Sequence, residues 1–413
     1  MTSDVVIVGA GLAGLCCARE LHRRGVRSRL LDAADAVGGR IRTDAVDGFR
    51  LDRGFQVFLT SYPEARAVLD YPALRLRPFL PGALIRFGGK FHTLADPWRR
   101  PLAALRSLVA PVGSLADKVR VGRLRARVLS GSAEDRFRDP ETTTLATLEA
   151  AGFSGAMIDR FFRPFLGGVF LDAGLGTSSR MFGFVFRMFA EGEACLPAEG
   201  MEAIPRQLAA ALPAGSVRLG ARVEQVRPGS VRLDTGEELA ARAVVVATDG
   251  ASAARLLGVA QHAGAVGVTC LYFAASHPPV DSPVLVLNGD GVGPVNNLCV
   301  PTSVAPTYGP PGASLVSATV LGTPPDEDRL LGEVREQLAS WFGPAARSWR
   351  HLRTYRIPDA LPRQDPPALA EPERPVRLEP GLYVCGDHRD NASINGAMAS
   401  GWRAAEAIAA ELS

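Results

Sequence analysis

Residues 4–14, Asp4-Val5-Val6-Ile7-Val8-Gly9-Ala10-Gly11-Leu12-Ala13-Gly14, run an apolar strand straight into three spaced glycines and then into a helical segment. Each glycine answers a separate demand. One makes the tight turn, the next lets the backbone approach a pyrophosphate, and the last lets helix and strand pack closely. The pattern predicts the opening of a β-α-β nucleotide-binding unit. A short glycine motif also serves as a simple packing device, so the reading needs support from elsewhere in the chain.

Two nearby features supply it. A second apolar run, Ser28 to Leu31, ends in Asp32, eighteen residues past Gly14. An acid at that place can accept hydrogen bonds from both hydroxyls of an adenosine ribose and would repel a 2′-phosphate. Gly38-Gly39-Arg40 follows, where paired glycines permit close backbone approach and an arginine can pair with phosphate.

At the far end, Gly381-Leu382-Tyr383-Val384-Cys385-Gly386-Asp387 reads as a buried strand closing in Gly-Asp, and a long helix follows a run of small residues from Asn391 to Gly401. With these stretches the chain resembles the flavin-containing amine oxidase superfamily, closest in motif to its phytoene desaturase-like and squalene-associated desaturase-like FAD oxidoreductases. The resemblance spans nearly the whole chain. It implies FAD as cofactor, with Gly9, Gly11, Ala13, Gly14 and Asp32 holding the ADP half. Gly38, Gly39 and Arg40 would lie along the pyrophosphate, and Gly386 and Asp387 at the ribityl chain. Gly54, Phe55, Ile394 and Asn395 would meet the flavin, the last two by backbone, with the positive end of their helix aimed at the ring. Val223 would meet the adenine, although a strand valine is ordinarily core.

The middle of the chain fits the same family. Pro197-Ala198-Glu199-Gly200-Met201 is similar to its Pro-x-Gly-Gly-Met turn, with Glu199 in place of a glycine. Alternation and turn residues predict strands around Val217, Val223, Val231 and from Ala243 to Ala247. The implied fold class is α/β, a Rossmann-like FAD-binding domain interleaved with a mixed α+β substrate domain. The first takes 1–70, 195–258 and 376–413; the second takes 71–194, expected to be mainly helical, and 259–375.

A length of 413 residues with 47% hydrophobic and 22% charged content suits a folded two-domain protein. Six cysteines lie scattered without a C-x-x-C pair, so no metal site is expected. No positive leader precedes the first strand and no uninterrupted apolar run reaches spanning length, so a cytoplasmic location is expected. Charge is uneven. Residues 73–130 hold twelve Lys or Arg against Asp96 and Asp117, a net of +10 in a chain of net +3. Basic residues interleaved with Leu, Val, Phe and Trp98 suit peripheral contact with an anionic membrane. The bland explanation is an arginine-rich composition, 44 Arg against two Lys. No nucleic-acid motif accompanies the charge, so no nucleic-acid partner is expected.

A bound flavin accepts hydride, and the protein chiefly orients the substrate and excludes side reactions. Amine-oxidising members of the family place a lysine near the flavin. Neither Lys90 nor Lys118 matches that motif, which favours a hydrophobic small-molecule substrate over an amine. The aromatics Phe161, Phe162, Phe165, Phe170, Phe182, Phe184, Phe186 and Phe189 are candidates for its pocket. No second nucleotide-binding motif is visible, so oxygen or a quinone is the expected electron acceptor. Gln56, in a stretch resembling the desaturases' Asp-x-Gly-Pro-Thr-Val with Phe-Gln replacing Pro-Thr, and His388, beside the Gly-Asp acid, are the candidate catalytic side chains. Desaturation or oxidation of a lipophilic substrate is the leading expectation. An amine oxidase, and a non-redox FAD-dependent isomerase or flavin-stabilised binding protein, are the alternatives.

Overall fold

The computed structural model of the protein describes residues 4–108, 110–259 and 264–412. Its first sheet has six strands in the order Val217–Arg218, Ser28–Leu31, Val5–Val8, Ala243–Val246, Leu382–Val384 and Arg377–Glu379. The first five are parallel and the last is antiparallel. Val5 to Val8 and Ala243 to Val246 are buried throughout, as the central strands of a sheet covered on both faces must be. Alternate side chains divide between those faces. Val5 and Ile7 pack with Leu15, Ala18 and Ala404 of the helices Leu12–Arg23 and Ile394–Leu412. Val6 and Val8 pack with Val223 and Val231 of a three-stranded antiparallel sheet on the opposite side.

The register decides where a ligand can bind. Val8 pairs with Leu31 and with Val246, and Val246 with Val384, so four parallel strands end level with one another. The crevice beyond such carboxyl ends is where open α/β sheets bind ligands.

The second sheet has seven strands, ordered Arg350–Pro362, Ala265–Ala275, Ser314–Leu321, Val295–Cys299, Leu285–Asn288, Gly82–Phe87 and Lys90–Ala95. Every pairing is antiparallel except that of Leu285–Asn288 with Gly82–Phe87. The helix Glu327–Phe342 covers one face through Leu330, Val334 and Leu338. Residues 71–194 are mainly helical but also give this sheet two strands. The hairpin Gly82–Phe87 and Lys90–Ala95 belongs to this sheet, and its turn, Gly88-Gly89 at φ +58° and +77°, is one that only glycine adopts freely.

Candidate functional site

One cavity of about 920 Å³ runs from the level strand ends of the first sheet into the space against the second. Gly9, Asp32, Thr248 and Asp387, each from the turn after a different parallel strand, all line it. The glycines divide their work as the turn chemistry demands. A Cβ on Gly14 would lie 2.0 Å from the Gly9 carbonyl oxygen, so Gly14 serves close helix–strand packing and is not a cavity wall. Gly11 is the reverse case, lining the cavity with no atom within 4 Å of a Cβ placed there. It is also the N-cap of Leu12–Arg23 and offers no side-chain cap, so the first N–H groups of that helix face open space. An open cradle at an uncapped helix start fits an anionic pyrophosphate.

Asp32 lines the cavity while accepting from the Ala10 N–H at 2.7 Å and the Ala34 N–H at 2.8 Å. Its carboxylate therefore braces the glycine turn and keeps lone pairs for ribose hydroxyls. Arg40 also lines the wall, with its guanidinium 2.6 Å from the buried Asp387 carboxylate and 2.7 Å from the Ala360 carbonyl. It locks two cofactor-facing turns together instead of standing free. Ala13, Gly38, Gly39, Gly54, Phe55, Val223, Gly386 and Ile394 are wall residues as well.

Two further expected contacts lie off the wall, and a third is engaged by the backbone. Asn395 lies behind the wall, its side-chain oxygen accepting from the Glu64 N–H at 3.0 Å, and Ser393, Ile394 and Ala397 make the wall there. His388 is outside the wall, and burial pushes its imidazole down to about 4, so it is neutral near pH 7. The residue cannot serve there as a charged acid because its surroundings remove the solvation that an imidazolium needs. Gln56 does reach the cavity, but it donates to the Arg40 carbonyl at 3.0 Å, a backbone-bracing role.

The Glu199 replacement leaves its turn intact. Gly200 keeps φ +91° against Thr43, while the Glu199 carboxylate reaches outward to Arg50 and Arg75.

Sequence reading missed several residues. Thr248 and Asp249 form the turn after the strand Ala243–Val246, and Asp249 caps the helix Gly250–Leu257 by accepting from the N–H of Ser252, which also lines the cavity. The signal was present as an apolar strand followed by Thr-Asp-Gly. Asp52 is fully enclosed, accepting from Thr43 Oγ1 at 2.5 Å, the Met201 N–H at 2.9 Å and the Tyr308 hydroxyl at 2.8 Å. Burial raises its carboxyl to about 6 despite those donors. Its task is to hold the chain that leads into Gly54, Phe55 and Gln56.

The other half of the cavity is mainly apolar, with Asp96, Arg99, Lys118, Arg125 and Glu193 also on its wall. Phe161 and Phe165, four apart, stack with ring centroids 5.4 Å apart, and Phe165 meets Phe189 at 5.2 Å. With Phe186, Phe55 and Phe79 they line the wall, whereas Phe162, Phe170, Phe182 and Phe184 are buried in the core. A turn of π-helix at Ile158–Phe162 sets this facing. Pro164 has no N–H to return to the Arg160 carbonyl, so the ordinary ladder cannot form across it. Lys118 also reaches the cavity, and Lys90 does not.

The model of the family of flavin-containing amine oxidoreductases matches residues 12–409. A coproporphyrinogen III oxidase from Mycobacterium leprae is 30% identical over 177 residues, 41% of this chain and 38% of that protein. A hydroxyneurosporene desaturase from Rubrivivax gelatinosus is 30% identical over 297 residues, 62% of this chain and 55% of that one. Among solved structures, a redesigned putrescine oxidase superposes with a TM-score of 0.75 at 16% identity, covering 99% of both chains, a likeness of fold. The glycine cradle, the level strand ends and the family match along almost the whole sequence agree: the chain belongs to the flavin-containing amine oxidoreductase family.

Proposed function

We propose that the protein removes hydride from a C–H bond of a lipophilic small molecule, as a desaturase or oxidase, with oxygen or a quinone as electron acceptor. The observation that carries this reading is the aromatic wall of Phe55, Phe79, Phe161, Phe165, Phe186 and Phe189 continuing from the cofactor cradle. FAD, when bound, supplies the two-electron acceptor. The chain's own residues do the rest. The phenylalanines exclude water and hold an apolar skeleton by contact area, about 1.5–3 kcal/mol for each side chain fully buried. Arg40 and Asp387 keep the cofactor-facing turns in register, and Gln56 fixes the Arg40 backbone.

The phenylalanine part of the wall disfavours an ammonium, since an unpaired buried charge costs several kcal/mol. Amine oxidation is nonetheless the second reading, favoured by the presence of Lys118 in the cavity wall. Anaerobic stopped-flow mixing with polyenes, porphyrinogens and simple amines separates the two. Bleaching of the flavin by a hydrophobic donor supports the proposal. Bleaching by a simple amine alone promotes the second reading, and no bleaching by any donor points to a non-redox role.

A further inference from the structure

Eleven large hydrophobic side chains are exposed among the described residues, and five of them crowd into 98–119: Trp98 at 50%, Leu102 at 83%, Leu105 at 62%, Leu115 at 64% and Val119 at 58%. The leucines and Val119 sit on two helices that each show one side to the cavity. Pro101–Leu108 lines it with Ala104 and Ser107 and turns Leu102 and Leu105, three apart, to the outside. Leu115–Leu129 lines it with Lys118, Val121 and Arg125 and turns Leu115, Val119 and Arg123, each four apart, outward. Trp98 joins the two. Its ring packs on Gly122, where a Cβ would lie 3.5 Å away, and the Arg125 guanidinium is 4.9 Å from its centroid. Because Trp98 is half exposed and also a wall residue, the cavity reaches the surface there.

Exposed leucines at this density call for a covering partner, and the charge around them says which kind. Arg123 and Arg127 are exposed on the same helix, and residues 73–130 carry a net +10 while the rest of the chain is negative. A second copy of the chain would bring two such segments together and repel itself. An anionic lipid leaflet offers opposite charge to the arginines and acyl chains to the leucines and Trp98.

We propose that the helices Pro101–Leu108 and Leu115–Leu129 form a docking face that rests on an anionic bilayer, with the cavity mouth at Trp98 held against the lipid. A molecule dissolved in the leaflet then reaches the phenylalanine wall without crossing water. Such docking is independent of which reaction the cavity performs.

The test is co-sedimentation of the flavin-loaded protein with vesicles of neutral phosphatidylcholine and with vesicles enriched in phosphatidylglycerol, at low and high salt. Partition onto the anionic vesicles, weakened by salt, is expected. Leu102→Ser with Leu105→Ser should lower it by about tenfold or more, since each exposed leucine loses its share of acyl contact. Arg123→Gln with Arg127→Gln should lower it by about fivefold per charge on the anionic vesicles alone. These four side chains are exposed or surface-facing and touch no cofactor-facing turn, so an unchanged flavin spectrum certifies the fold. Equal partition of the leucine variant and the wild type overturns the proposal, as does equal binding to neutral and anionic vesicles. A wild-type dimer that the leucine variant converts to monomer also overturns it, because the face would then be covered by a second copy.

Discussion

Replacing Gly11 by alanine separates the fold from the cofactor cradle. Gly11 has φ −75° and ψ −178°, a conformation open to any L-residue, and an added Cβ meets nothing within 4 Å. The apoprotein should therefore keep its fold and gain about 0.4–1 kcal/mol, because alanine restricts the unfolded chain. FAD binding should suffer, since the methyl group points into the space where the pyrophosphate must approach the first helical N–H groups. Two charge-assisted hydrogen bonds at about 1.5 kcal/mol or more each are at stake, so the loss is about 3 kcal/mol, roughly 150-fold in Kd. Gly14→Ala is the contrasting change. Its Cβ would lie 2.0 Å from the Gly9 carbonyl oxygen, so helix and strand must part, and the apoprotein should lose at least about 3 kcal/mol. Thermal unfolding of the apoproteins reads the first effect, and titration of FAD by quenching of its fluorescence reads the second. A Gly11→Ala variant that binds FAD like the wild type would refute the cradle. Gly11→Ala apoprotein less stable than wild type would refute the open space.

Asp32→Ala removes the acceptor for the Ala10 and Ala34 N–H groups and the lone pairs that would meet a ribose; FAD affinity should fall by about 1–3 kcal/mol, and an unchanged titration would reassign that acid. His388→Gln tests the buried imidazole. Its folded pKa, about 4, lies below the ordinary value of 6.5, so its neutral form contributes stability that is complete above pH 6.5 and fades as pH falls toward 4. The stability gap between wild type and variant in urea melts should narrow over that window, by up to about 3 kcal/mol; a gap independent of pH would refute the assignment. Phe161→Ala with Phe165→Ala opens the stacked pair in the cavity wall. Flavin reduction by a hydrophobic donor should then need at least about tenfold more substrate, whereas Phe162→Ala should chiefly lower thermal stability, by about 3–5 kcal/mol. Equal effects on reduction would place the aromatic wall elsewhere.

The motifs readable in the sequence are those whose chemistry closes within a few residues. Val5 to Gly14 could be read because a tight strand-to-helix turn restricts which residue stands at each place. Asp32 and Gly386-Asp387 could be read because they end apolar strands at the level of that turn. Tertiary structure decided what depends on neighbours distant in the chain. Arg40 meets Asp387, 347 residues away, and Asn395 meets Glu64, 331 residues away. No local pattern encodes either pairing. Which phenylalanines face the cavity follows from the π turn before Pro164 and from the packing of two helices, so Phe161 and Phe162, adjacent and identical, have different surroundings. His388 and Asp52 depart from ordinary acid–base behaviour chiefly because the folded chain withholds water from them. The basic segment was plain as composition. Only the fold sorted its residues into a cavity face with Lys118 and Arg125 and an outer face with Leu102, Leu105, Leu115 and Val119, because helical periodicity becomes an orientation once one side of each helix is packed.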